Sequence, residues 1–155
     1  MRKILVVLLL TISAGFTTSS AQKLPPQKET LDVVMKVNKY FMEKYADYRT
    51  PSFVRNVTRP SNIWTRGVYY EGLMALYSIY PRAEFYDYAY NWAEYHEWGM
   101  GNAKCNTTRN ADDYCCGQTY IDLYNICPKP EMLKNIKSNM NMLVNTPQVG
   151  DWTWV

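Results

Sequence analysis

The chain has a single histidine, His96, and no Cys-x-x-Cys pair. Zinc sites draw on such ligands, so zinc fits poorly and no metal or cofactor is expected. Beyond the N-terminus, no run is apolar and long enough to cross a bilayer. A polybasic stretch is also missing: 17 Lys and Arg face 14 Asp and Glu. That excludes the electrostatic footprint of a nucleic-acid or anionic-membrane binder. No segment alternates polar and apolar residues as a half-buried strand would, so no sheet is expected. His96 lies in a Tyr- and Trp-rich stretch and reads as structural.

Residues 1–21 have the form of a secretory signal. Arg2 and Lys3 precede an apolar run over residues 4–12, and Ser19-Ser20-Ala21 offers a small-residue cleavage site. No Cys follows that site, so a bacterial lipid anchor is not expected. The mature chain, residues 22–155, would be exported to the periplasm or beyond. Without Arg2 and Lys3 its 15 bases nearly balance its 14 acids. Export permits disulfides. Even so, Cys105, Cys115, Cys116 and Cys127 read as buried free thiols, because the chain is long enough to build a core without them.

What the sequence does have is helical periodicity and aromatic side chains, with 5 Trp, 14 Tyr and 4 Phe. The spacing predicts five helices, near residues 29–45, 66–80, 83–98, 115–127 and 131–144. Their apolar faces would be Leu31, Val34, Met35, Phe41, Met42 and Tyr45; then Tyr69, Leu73, Leu76, Tyr77 and Tyr80. Phe85, Tyr88, Ala89, Trp92 and Tyr95 follow on the third helix. The fourth carries Cys116, Tyr120, Leu123, Tyr124 and Cys127, and the fifth Met132, Ile136, Met140 and Leu143. A repeat organises them: Leu76-Tyr77-Ser78-Ile79-Tyr80-Pro81 matches Leu123-Tyr124-Asn125-Ile126-Cys127-Pro128, 47 positions on. Pro-x-x-Glu recurs at Pro26, Pro81 and Pro128, with Glu29, Glu84 and Glu131 in the first turn of a helix, where the dipole favours an acid. A repeat of this length implies stacked helical hairpins.

Up-down hairpins put the tight Pro-x-x-Glu turns on one face and the long connections on the other. Those connections carry Trp64 and Arg66, then Arg109, Asp112 and Asp113, then Asp151, Trp152 and Trp154. Scaffolds commonly carry sites on such loops. Adjacent Asp112 and Asp113, beside Arg109 and in a stretch rich in Asn, Thr, Trp and Tyr, suit a sugar: acids and amides for hydroxyls, aromatic faces for the ring. One acid alone would read as a helix-start residue. The aromatic segment Gly150-Asp151-Trp152-Thr153-Trp154-Val155 reads as the approach to a further helix, and the chain is expected to be the first part of a longer domain.

Three blocks carry a family resemblance: Trp64-Thr65-Arg66-Gly67-Val68-Tyr69-Tyr70-Glu71-Gly72-Leu73-Met74-Ala75-Leu76-Tyr77, Asn110-Ala111-Asp112-Asp113 with Gly117-Gln118, and Asp151-Trp152-Thr153-Trp154-Val155. Together they resemble family 105 glycoside hydrolases, the unsaturated rhamnogalacturonyl hydrolases, relatives of the family 88 unsaturated glucuronyl hydrolases. The resemblance implies an all-α fold, an (α/α)6 barrel of six hairpins, of which this chain supplies the first half at most. It implies removal of a 4,5-unsaturated galacturonic acid from pectin-derived rhamnogalacturonan fragments by hydration of the enol ether, not by two-carboxylate displacement at the anomeric carbon. Asp112 matches one active-site Asp of the family, with Asp113 the second choice; the main proton donor would follow just beyond Val155. Trp64, Arg66, Arg109 and Trp152 are expected subsite residues. Half a barrel is expected to leave Tyr69, Leu73, Tyr120 and Leu123 partly open to water. Alternatives are a non-catalytic helical-repeat glycan-binding protein, or an (α/α)6 hydrolase or lyase of another uronic-acid glycan. The oligomeric state stays open.

Overall fold

The structure, a computed structural model, describes residues 23–101 and 109–146. Five helices run in the order α1 (Gln27–Lys44), α2 (Trp64–Ile79), α3 (Ala83–Tyr95), α4 (Ala111–Ile126) and α5 (Pro130–Asn145). The repeat is visible in their bounds. Both ends of α4 lie 47 positions after those of α2, and Pro130 opens α5 47 positions after Ala83 opens α3. Glu29, Glu84 and Glu131 all sit in the first turns of their helices.

α2 and α4 form an inner pair. A Cβ added at Gly67 would sit 3.3 Å from both the Cys115 Cβ and the Cys116 nitrogen, so the absent side chain lets the two backbones approach. Further along, Glu71 and Ser78 face Gln118 and Asn125 across one groove; the numbers rise together, so the helices run parallel. α3 packs against both and α5 against α4. α1 joins through Phe41, whose ring stacks on Tyr69 at 3.4 Å, and Asn38, whose Oδ1 accepts the Tyr69 hydroxyl at 2.6 Å. The core is aromatic: Tyr70 and Trp92 stack at 3.7 Å, with Phe85, Tyr88 and Tyr120 around them. This layering of inner and outer helices is that of an (α/α)6 barrel wall.

Three expectations change. First, a short hairpin is present. β1 (Ser52–Val54) pairs antiparallel with β2 (Val57–Arg59), Val54 opposite Val57. Arg55 and Asn56 both adopt positive φ, 51° and 61°, as a two-residue type I′ turn requires. Three-residue strands are too short to show alternation, and an Arg-Asn turn lacks the usual Gly. Second, Leu73, Tyr120 and Leu123 are buried, because they face the outer helices. The open side of the inner pair is Trp64, Val68, Ala75 and Ile79 with Gln118 and Ile121. Third, of the cysteines described, Cys116 alone is buried; Cys115 is half-buried and Cys127 exposed, all as free thiols. Cys105 and residues 1–22 lie outside the described residues.

Candidate active site

The parallel inner helices begin on the same face. Gly67 is level with Cys115 and Cys116, so the first turn of α2, with Trp64, and that of α4, with Asp112, open at the same end of the pair. Trp64 is the first residue of its helix and is 46% exposed. α4 begins four residues earlier than periodicity suggests, since Asn110 caps it: its side chain accepts the Asp112 N–H at 3.1 Å. Asp112 and Asp113 therefore occupy the first turn, where the dipole favours carboxylates.

The two acids part company there. Asp112 is exposed, while Asp113 is 5% exposed. Asp113 lies under the incoming loop, where a Cβ on Gly101 would fall 2.5 Å from its Oδ1. Gly101 also has φ +39°, so this crossing requires glycine twice over. In repeat register Asp113 corresponds to Arg66, equally buried at 2% exposure. The Arg66 guanidinium donates to the carbonyls of Thr50 and Tyr48, the latter at 3.1 Å, and lies over the Tyr45 ring at 4.3 Å. It anchors the α1–α2 connection, and a ligand would reach it only by displacing those carbonyls. Arg109 is exposed and donates to the carbonyl and, at 3.1 Å, the hydroxyl of Thr146 at the end of α5. Trp152 and Asp151 lie outside the described residues.

The loop over Asp113 is held by residues scattered along the chain. α3 ends at Tyr95 because Glu97 and Trp98 take positive φ, 52° and 57°, costly for side-chain-bearing residues. Asn135 of α5 donates to the carbonyls of both, at 3.1 and 3.0 Å. The next carbonyl, Gly99, accepts from Asn62 Nδ2 and the Tyr120 hydroxyl, each at 3.0 Å, and from the Cys116 thiol at 3.5 Å. Nothing local in the sequence marks these partners. Burial pushes the Cys116 thiol up to about 11. Cys115, between Asp112 and Glu71, is raised by burial and then by those two acids. Both therefore stay protonated, and neither is set up as a nucleophile.

His96 is structural, as expected. The Ser61 hydroxyl donates to the Tyr48 carbonyl at 2.9 Å, leaving its oxygen to accept the His96 Nε2–H at 2.7 Å. Burial, with Arg66 nearby, lowers the imidazole to about 4. Among the described residues no three His, Cys, Asp or Glu cluster as metal ligands, and no helix is long and apolar enough to cross a membrane. Beyond the first turns a groove of about 720 Å³ runs between α2 and α4, with Glu71, Ser78, Gln118 and Asp122 among its walls. Burial raises the Asp122 carboxyl. Such a groove, with carboxylates, an amide and a hydroxyl in its walls, can bind sugar hydroxyls.

Residues 33–154 match Glycosyl Hydrolase Family 88. The chain belongs to that family. Its fold recurs in a solved polysaccharide lyase, at TM-score 0.63 and 25% identity over 82% of this chain and 36% of that one. It recurs also in a glycosyl hydrolase family 88 protein from Bacteroides vulgatus, at TM-score 0.62 and 22% identity over 82% and 37%. The family 88 chain thus spans a little over a third of the structures it matches. No curated protein matches it significantly.

Proposed function

We propose that this family 88 chain forms part of a glycoside hydrolase that releases 4,5-unsaturated galacturonic acid from the non-reducing end of pectin-derived rhamnogalacturonan fragments. The observation that supports this reading is the parallel α2–α4 pair, whose first turns bring Trp64 and Asp112, both exposed, to the same end of the fold in a chain that also resembles family 105. In the proposed reaction an Asp donates a proton to the C4=C5 enol ether, water adds at C5, and the resulting hemiketal opens to release the sugar. Asp112 binds the sugar's hydroxyls and, as a neighbouring negative charge, keeps the donor protonated near neutral pH. The donor itself, by resemblance, is the Asp that follows the family's Trp-x-Trp-x block. Trp64 and Trp152 form aromatic subsite walls; Arg66 and Arg109 act through the loops they anchor. Residues 1–21 direct export.

The test is turnover of an unsaturated rhamnogalacturonan disaccharide by the protein extended past Val155, followed by enol-ether absorbance. Loss of absorbance that stops in Asp112→Asn supports the reading. The likeness to a solved polysaccharide lyase favours one second reading, a lyase of another uronic-acid glycan. A lyase creates the enol ether, so it would leave that disaccharide unchanged and raise the absorbance of a saturated uronic-acid polymer.

A further inference from the structure

The Pro-x-x-Glu motifs set the three outer helices in register. Counted from Glu29, Glu84 and Glu131, Val33 of α1 corresponds to Tyr88 of α3 and Asn135 of α5. Val34 corresponds to Ala89 and Ile136, and Val37 to Trp92 and Asn139. On α3 and α5 all of these counterparts are buried, and the hairpin before each helix covers them. The Tyr88 hydroxyl donates to the Tyr45 carbonyl at 2.7 Å, and Trp92 stacks on Tyr70 at 3.7 Å. Ile136 lies against α4, where a Cβ on Gly117 would fall 3.5 Å from its Cδ1.

Among the described residues nothing covers the same face of α1. Val33, Val34 and Val37 are 55%, 38% and 62% exposed, while α1 meets α2 through Asn38 and Phe41 instead. Single exposed valines are ordinary. Three of them on the one face that the fold buries twice elsewhere form an unfilled seat, since each repeat of such a stack is covered by its neighbours. The inner helix shows the same edge. Cys115 of α4 lies against Gly67 of α2, and its counterpart 47 positions back, Val68, is exposed.

We propose that this edge of the α1–α2 hairpin is a docking surface for the inner helix of a further hairpin of the same polypeptide, from outside residues 23–146. That helix lies against Val33, Val34 and Val37 of α1 as α2 lies against α3 and α4 against α5. Its contact face is apolar, because the seat offers valines and no charge that could pair with a buried one. The occupant belongs to the same polypeptide because the chain spans only a little over a third of the solved structures that share its fold. The surface concerns packing and does not rest on the proposed activity.

The experiment is thiol labelling of the whole natural protein carrying Val37→Cys, read peptide by peptide so that the natural cysteines do not interfere, with Lys39→Cys as the exposed reference. The counterparts of Lys39, Glu94 and Asn141, are exposed on their own helices. Position 37 is expected to react at least about tenfold more slowly than position 39, because a covered thiol reacts only through local opening. The protection should persist on dilution, in protein that sediments as a monomer. Equal rates at the two positions overturn the inference. Protection that disappears on dilution also overturns it, because the seat would then be filled by a second copy. Should Val37→Cys fail to fold, Val33→Cys decides the matter by the same comparison.

Discussion

Asp112 and Asp113 are neighbours of the same chemistry, yet substitution should separate them. Asn110, not Asp112, caps α4, so Asp112→Asn removes only a carboxylate near the helix dipole, about 0.3–1 kcal/mol. Its melting temperature should barely move, while turnover of the extended protein falls by orders of magnitude. Asp113→Ala strips a buried polar group from beneath Gly101. It should cost about 1–3 kcal/mol, visible as a lower melting temperature. If both variants lose stability equally, Asp112 is structural too. His96 gives a second residue-scale outcome. Its folded pKa is lowered from 6.5 to about 4, so between these values the unfolded chain takes up a proton that the folded one refuses. Stability from this group is therefore complete above about pH 6.5 and declines as pH falls towards 4. His96→Gln should flatten that limb of the melting-temperature profile; an unchanged slope would assign it to carboxylates instead.

At the scale of elements, two glycines of α2 test the seam. A Cβ at Gly72 meets nothing within 4 Å, so Gly72→Ala should stabilise by about 0.5–1 kcal/mol through helix propensity. At Gly67 the new side chain meets the Cys116 backbone at 3.3 Å, which cannot swing aside as a side chain can. Gly67→Val should destabilise by about 1–3 kcal/mol through overpacking, measured by urea denaturation. A neutral Gly67→Val would mean that the two helices can slide apart freely. The hairpin is an element that periodicity could not disclose, because its strands are short and its left-handed turn is built from Arg55 and Asn56. Its register follows from the turn and from Ser52 facing inward.

For the whole molecule, the consequence is an open inner wall. Trp64, Val68 and Ile79 along α2 and Ile121 on α4 are exposed, an apolar stripe of the kind that favours association. Residues 22–155 in isolation should self-associate in sedimentation velocity, and Val68→Glu with Ile79→Lys should reduce this without lowering the melting temperature. A monomeric unsubstituted fragment would show that the stripe is too small to matter.

The helical-hairpin class was readable from the sequence because it rests on local signals. Apolar spacing, the Pro-x-x-Glu turns and the 47-residue repeat each act within a helix or its cap, and the bounds of α2 and α4 reproduce that offset at both ends. The acids Asp112 and Asp113 were read as part of the connection before α4, and the cap at Asn110 draws them into its first turn instead. What lay between distant residues was not readable. Which face of each helix turns inward depends on neighbours, so Leu73, Tyr120 and Leu123 were assigned to the open wall and are buried instead. Likewise only the fold brings Asn62, Tyr120 and Asn135 to three consecutive carbonyls. These bonds hold Glu97 and Trp98 in the left-handed region and carry Gly101 across Asp113. Periodicity chooses the elements, whereas burial of a particular carboxylate or guanidinium is decided by what packs over it.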